Sequence, residues 1–201
     1  NMVTNISVVQ SDTIWLTSGR NRIFSLSKKT LTNLVPIREV SSDYIRDLMI
    51  DHNNQLWITH YSKIFKYNIK SKTLTQVIMP NRFFTFLKDL IVDKKNRLWG
   101  NTYETGSFVL RDSSFIWFDS AKDPKFVERF ALCNNDHVWT GNADGLYKLK
   151  LDSFKFIPFD HAIFNNTKRL PPIIHMAEDG RNNLWMAFYN NLIKYDGTEF
   201  K

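Results

Sequence analysis

The chain has a single cysteine, Cys133, among its 201 residues, which excludes any disulfide bond within it. It has only seven glycines, and they form no glycine-rich phosphate-binding loop. No apolar run is long enough for a transmembrane helix, and no secretory signal or lipidation motif is present, so we expect no membrane contact by this segment. No stretch keeps a sustained 3.6-residue periodicity, and helices are therefore not expected.

The net charge is +7, yet the lysines and arginines are dispersed and form no dense basic block. We interpret them mainly as solvated turn and edge residues, since lysine on an exposed strand edge discourages edge-to-edge pairing. The alternative is a basic face that attracts an anionic partner, such as a sulfated or uronic polysaccharide. A nucleic-acid partner is not expected, because no recognised binding motif accompanies the charge.

One short phrase centred on a tryptophan occurs five times. Its copies are Thr13-Ile-Trp15-Leu-Thr17, Gln55-Leu-Trp57-Ile-Thr59, Arg97-Leu-Trp99, His137-Val-Trp139-Thr140 and Asn183-Leu-Trp185-Met. The tryptophans are 42, 42, 40 and 46 residues apart. A repeat of this period is the mark of an array built from one supersecondary unit.

Each repeat has room for four strands. Three copies place an aspartate six positions before the tryptophan (Asp51, Asp93 and Asp179), followed by polar turn formers, which is typical of a hairpin. Strand three is marked by an aromatic residue: Phe24, Phe65, Phe108 and Tyr147. Strand four is marked by a later apolar residue: Leu31, Leu74, Phe115, Phe154 and Phe200. Four strands in about 40 residues predict an all-β propeller blade.

The sequence therefore predicts one β-propeller domain over residues 1–201, made of four-stranded antiparallel blades. We place five blades near 1–36, 37–80, 81–122, 123–160 and 161–201. Both a closed ring and an arc of a larger propeller fit the pattern. In either case the recurring tryptophans should pack between blades, because a single blade exposes two apolar faces.

The phrase Asp-x-x-Asn-x-Leu-Trp-Ile-Thr at 51–59, with Lys66-Tyr67 after it and Lys194-Tyr195-Asp-Gly197 in the fifth repeat, resembles the two-component regulator propeller repeat. That family usually forms the periplasmic sensor region of hybrid two-component histidine kinases in polysaccharide-degrading bacteria. The family's turn glycine is replaced here by Asn54 and Asn96, which tolerate left-handed backbone.

The resemblance implies a periplasmic, non-enzymatic sensor region that recognises an extracellular carbohydrate or a partner domain and relays a signal to a histidine kinase. It implies other domains of the same sensor protein as partners, with an oligosaccharide as ligand. The family's further blades, β-sandwich, membrane helix and kinase are absent from this segment.

Nothing in the sequence indicates catalysis, a metal site or a cofactor. The five histidines show no metal-ligand spacing, and no nucleophile with an orienting base is evident. Two alternatives remain open. One is a streptogramin-lyase-like propeller enzyme, for which His175 is the candidate residue. The other is a protein-interaction scaffold, including a homodimer formed through exposed blade edges.

Propellers bind ligands mainly at the face where loops enter the innermost strands, around the central channel. The innermost strand of each blade should begin ten or eleven residues before the tryptophan, and charged or ring-bearing residues occupy those positions. The turns after the tryptophan strands should add aromatic rings to the same face. Converging charges and polar partners indicate a ligand site, although the charges could simply neutralise one another. The candidate ligand-binding residues are Arg46, Asp47, Lys88, Asp89, Arg129, His175, Tyr61, Tyr103 and Tyr189.

Overall fold

A computed structural model confirms the all-β class and the four-stranded blade. It describes residues 3–8, 13–18, 22–27, 30–34, 45–61, 63–80, 86–103, 106–111, 113–118, 129–132, 137–142, 145–159 and 173–201. Cys133 lies outside these residues. Within them every regular element is a strand, and so no helix is present that could cross a membrane.

The strands form five antiparallel sheets, each of which follows the chain order. Blade 1 contains β1 (Val3–Val8), β2 (Thr13–Ser18), β3 (Arg22–Ser27) and β4 (Thr30–Leu34). Blade 2 contains β5 (Ile45–Ile50), β6 (Gln55–His60), β7 (Lys63–Asn68) and β8 (Thr73–Val77). Blade 3 contains β9 (Leu87–Val92), β10 (Leu98–Thr102), β11 (Ser107–Arg111) and β12 (Ser114–Trp117). Blade 4 contains β13 (Arg129–Leu132), β14 (His137–Asn142), β15 (Gly145–Lys150) and β16 (Lys155–Pro158). Blade 5 contains β17 (His175–Glu178), β18 (Leu184–Ala187) and β19 (Leu192–Tyr195).

Two predicted markers of the fourth strand are wrong in position. Phe154 lies in the turn before β16 with φ +54°, and its ring packs on Trp99 at a centroid distance of 5.6 Å. Phe200 forms only an isolated bridge to Tyr195 beside β19. The prediction took an apolar residue as the marker of the fourth strand, but a turn residue that packs on the neighbouring blade is apolar as well.

The blades are arranged radially through their first strands. These innermost strands contact one another in the order β1, β5, β9, β13 and β17. Within the part of the chain that the structure describes, β17 and β1 share no contact of similar extent. The hydrophobic core is correspondingly divided into four clusters, one between each pair of consecutive blades.

The tryptophans pack between blades, as the repeat predicts. Trp15 lies in the cluster with blade 2, Trp57 with blade 3, Trp99 with blade 4 and Trp139 with blade 5. All four are buried. Burying an aromatic ring of this size is a large apolar contribution to stability, and it is repeated at every junction.

The aspartate of the repeat bonds the tryptophan directly. The indole N–H groups of Trp57, Trp99 and Trp185 donate to Asp51, Asp93 and Asp179, with Nε1–Oδ2 distances of 2.9, 2.8 and 3.0 Å. The other carboxylate oxygen accepts backbone N–H groups of the turn, for example from Asn53 and Gln55 at 2.9 Å. The motif is therefore an architectural device that closes the turn and fixes the indole.

Asparagine occupies the left-handed position of the same turns. Asn54, Asn96 and Asn182 have φ values of 58°, 59° and 64°. This backbone region favours glycine, but asparagine enters it at lower cost than most side chains because its short amide bonds locally. Asparagine at this position thus preserves the turn.

A cation covers the tryptophan in four of the repeats. Lys66, Lys148 and Lys194 lie directly across the strand pair from their tryptophans. Their Nζ atoms stand 5.2, 4.6 and 5.8 Å from the ring centroids of Trp57, Trp139 and Trp185. Blade 3 has Val109 at the lysine position, and Arg97 stands over Trp99 instead, at 5.4 Å. Such contacts contribute about 0.5–1 kcal/mol each when exposed.

Candidate functional site

The predicted site residues lie on one face of the propeller, which we call the upper face. The starts of the innermost strands pair with the ends of the second strands, as in Ile45 with His60 and His175 with Ala187. The upper face therefore carries the starts of the innermost strands and the turns that follow the second strands. The Asp–Trp turns occupy the opposite, lower face.

Three aromatic rings form a row across blades 2 and 3 on this face. The ring centroids of Tyr61 and Phe86 are 5.0 Å apart, and those of Phe86 and Tyr103 are 6.4 Å apart, with edge-to-face geometry in both pairs. Phe86 is 40% exposed and Tyr103 is 49% exposed. We call these three residues the aromatic row.

Backbone hydrogen bonds hold the aromatic row in place. The Leu87 N–H donates to the Tyr61 carbonyl at 3.0 Å, and the Tyr103 N–H donates to the Phe86 carbonyl at 3.0 Å. Tyr61 has φ +48°, a left-handed conformation that is costly for a bulky side chain. Such an outlier is kept only where surrounding bonds enforce it, and such outliers concentrate at functional sites.

A cation stands at each end of the aromatic row. The Arg46 guanidinium carbon lies 5.4 Å from the Tyr61 ring centroid, and Lys88 Nζ lies 4.3 Å from that of Tyr103. Arg46 is exposed and Lys88 is half-buried. The arrangement presents apolar ring surface between two positive charges.

Three other predicted residues join neighbouring blades. Asp47 of β5 accepts the Leu90 N–H of β9 (N–Oδ2 3.2 Å), and Asp89 of β9 accepts the Phe130 N–H of β13 (N–Oδ2 2.8 Å). Arg129 of β13 donates from Nε to the Ile174 carbonyl, which precedes β17. We call these bonds the inter-blade latches. They give Asp47, Asp89 and Arg129 a structural role at the upper face, and ligand binding by them stays a prediction.

The Asp89 carboxyl group has a strongly raised pKa. Burial is the largest cause, and the charge of Asp47 adds to it, while the Phe130 N–H and the Arg129 charge act in the opposite direction. The net effect raises the pKa of Asp89 to about 7. The two carboxylates therefore share a region where one of them carries a proton near neutral pH.

His175 and Tyr189 lie on blade 5, at the same face. His175 begins β17 and is exposed, and Tyr189 in the turn after β18 is 78% exposed. Among the described residues neither contacts the aromatic row. The structure thus brings together Arg46, Tyr61, Lys88 and Tyr103, and leaves His175 and Tyr189 as a separate exposed pair.

Phe86 is the member of the row that sequence reasoning missed. It immediately precedes β9, and the signal that could have found it is its position two residues before Lys88. Among the described residues, no three histidine, cysteine, aspartate or glutamate side chains are grouped closely enough to hold a metal ion.

No protein-family model and no curated protein matches the chain. Solved structures do match it. Streptogramin B lyase superposes with a TM-score of 0.80 at 12% identity, covering 99% of this chain and 67% of the lyase chain.

Two further matches are extracellular domains from B. thetaiotaomicron, of proteins described as the hybrid two-component systems BT3049 and BT4673. Their TM-scores are 0.74 and 0.69 and their identities are 13% and 20%; they cover 100% and 92% of this chain. This chain spans 30% and 26% of those domains.

The fold is a five-bladed β-propeller. Its structural neighbours include extracellular domains of hybrid two-component systems and also a lyase, so the propeller scaffold is found in both sensors and an enzyme. At these identities the likeness establishes the fold, and function has to be argued from the side chains of the upper face.

Proposed function

We propose that this propeller is a non-catalytic, ligand-binding region of a periplasmic two-component sensor, and that its ligand is an extracellular carbohydrate bound on the aromatic row. The observation that carries the proposal is the row itself, with the exposed rings of Phe86 and Tyr103 and with Arg46 and Lys88 at its two ends. The sensor-domain neighbours support the same role.

The chemistry of the row suits a sugar. The apolar face of a sugar ring packs on an exposed aromatic ring, while its hydroxyl groups need nearby polar partners. Arg46 and Lys88 provide such donors, and their charge favours a carbohydrate that carries carboxylate or sulfate groups. Binding across blades 2 and 3 would shift these two joined blades together relative to the other parts of the sensor protein, and a signal to a histidine kinase would start from that shift.

Calorimetric titration with neutral and uronate-containing oligosaccharides tests the proposal. We expect binding that is stronger for the acidic series and that is weakened about tenfold or more by Lys88→Gln or Tyr103→Ala. Lys66→Gln is the matched control, because Lys66 also covers an aromatic ring, Trp57, but lies outside the row. Heat that is absent with every oligosaccharide, or equal in Lys88→Gln and Lys66→Gln, would overturn the proposal.

A lyase remains the second candidate, and two observations favour it. Streptogramin B lyase is a structural neighbour over almost the whole chain, and the exposed His175 lies on the upper face. An assay of streptogramin B cleavage separates the candidates. Cleavage by the native chain that is lost in His175→Ala would establish the enzyme, and no cleavage would eliminate it.

A further inference from the structure

The lower end of blade 4 carries a cleft that the proposed function does not use. It has a volume of about 470 Å³ and is lined by His137, Lys148, Lys150, Asp152, Ser153 and Ile157. His137 begins β14 at the lower face, and Lys150 ends β15 at the same level. The volume falls within the range of about 300–1,000 Å³ that is typical of ligand sites.

Strand register brings three basic side chains into a line beside this cleft. His137 pairs with Lys150, and Lys150 pairs with Lys155 on the next strand. Directly opposed residues share one face of a sheet with Cβ atoms about 4.5–5.5 Å apart, and like charges in that position are unfavourable. We call His137, Lys150 and Lys155 the basic line.

The basic line differs from the corresponding residues of blades 1 and 2. The same three positions hold Thr13, Ser27 and Thr30 in blade 1, and Gln55, Asn68 and Thr73 in blade 2, all of them neutral. Blade 3 carries arginines at two of the positions, Arg97 and Arg111, and the Arg97 guanidinium is paired there with Asp93. Blades 1 and 2 show that a blade forms without positive charge at this level.

The surrounding groups leave the positive charge in excess. Asp152, the one carboxylate that lines the cleft, is bonded to Lys95 of blade 3. Among the described residues, neither Lys150 nor Lys155 forms an ion pair. Lys148 adds a further charge, with Nζ held 4.6 Å above the Trp139 ring and 5.3 Å from the Phe159 ring.

We propose that this cleft binds a multiply charged oxyanion, a phosphate or sulfate group, either free or attached to a small molecule. Lysine ammonium groups bind such anions as point charges, and Lys148 and Lys150 both line the cleft. The Ser153 hydroxyl is a further hydrogen-bond donor at the wall. The bound anion offsets the repulsion along the basic line, which gives a physical reason for charges that the blade itself does not need.

Titration of the native chain with inorganic pyrophosphate and sulfate, at constant ionic strength set with sodium chloride, tests the proposal. Binding is followed by calorimetry and by the amide NMR signals of β14 and β15. Glucose 6-phosphate, with glucose as its control, distinguishes an esterified anion from a free one. We expect saturable binding of at least one of these anions, and no response to chloride or glucose.

Lys150→Gln is the decisive variant, because Lys150 is exposed and its loss should leave the fold intact. We expect its affinity to fall about tenfold or more. Lys148→Gln should also weaken binding, whereas Lys66→Gln, which removes the equivalent cover of Trp57 in blade 2, should not. Binding no stronger than that of chloride, or equal affinity in Lys150→Gln and the native chain, would overturn the proposal.

Discussion

The half-buried carboxyl group of Asp89 should make this propeller less stable as the pH rises towards neutrality. Its pKa is raised from 3.8 to about 7 by burial and by Asp47. Between about pH 4 and 7 the folded chain therefore keeps a proton that the unfolded chain has released, and stability falls as the pH rises through this window. Above this window the folded chain carries the whole cost of a carboxylate that is partly removed from solvent and lies near Asp47.

The size of the penalty follows from the rise in pKa. At about 1.36 kcal/mol for each pKa unit, a rise from 3.8 to about 7 corresponds to at most about 4 kcal/mol, and solvent screening reduces this figure because Asp89 is only half-buried. Asp89→Asn removes the charge and retains an oxygen that accepts the Phe130 N–H, although an amide oxygen accepts more weakly than a carboxylate. We therefore expect the variant to be about 2 kcal/mol more stable than the native chain at pH 8.

Urea unfolding at pH 5 and pH 8 measures this effect. The native chain should lose stability between the two values, and Asp89→Asn should lose much less. Asp47→Asn should reduce the loss in part, because it removes the second cause of the raised pKa. Asp152→Asn is the control, since Lys95 lowers the pKa of this exposed carboxyl and so moves its titration away from the window. An Asp89→Asn variant with the native decline would refute the reasoning.

Three further outcomes test the architecture. Asp93→Ala strips the buried Trp99 indole N–H of its acceptor and should lower the free energy of unfolding by about 3–5 kcal/mol in urea titrations. Gly100→Ala places a Cβ atom 2.3 Å from the nearest ring carbon and should cost about 1–3 kcal/mol, whereas the Cβ of Gly180→Ala meets no atom within 4 Å and should change stability by under about 0.5 kcal/mol. Hydrogen bonds hold the pKa of Asp179 below its usual range, so stability should fall as the pH drops below about 4 in thermal melts, and less steeply in Asp179→Asn.

Each of these three predictions would be contradicted by a specific result. Equal urea midpoints for the two glycine variants would contradict the tight contact at Gly100. A loss of under about 1 kcal/mol for Asp93→Ala would show that the indole bond is replaceable by solvent. If stability fell with decreasing pH as steeply in Asp179→Asn as in the native chain, another group would be responsible for the loss of stability at low pH.

The blade architecture could be predicted because its signals are local. The tryptophan phrase, the aspartate six positions before it and the asparagine turn all act within one hairpin, and the structure uses them as the pattern indicates. The position of Phe154 could not be read in the same way. Its place depends on a left-handed turn and on contact with Trp99 of the preceding blade, and residue type alone predicts neither.

The residue types on the upper face could be predicted from the sequence, but the way they pack together across blades could not. Tyr61 and Tyr103 were expected there, but their meeting through Phe86 depends on the packing of blade 2 on blade 3. Asp47 bonds a residue 43 positions away, so its role in joining blades is invisible in a single repeat. The basic line likewise requires the register of three strands.

Blades 2, 3 and 4 are fastened at both ends of their sheets. The inter-blade latches join them at the upper face, and at the lower face Asn96 accepts the His52 N–H at 2.8 Å while Arg97 donates to the Leu151 carbonyl at 3.0 Å. Sheets pinned at two levels resist both twisting and splaying. Blades 2, 3 and 4 should therefore move as one rigid body, so that a displacement at the outer edge of one blade is transmitted to the other two.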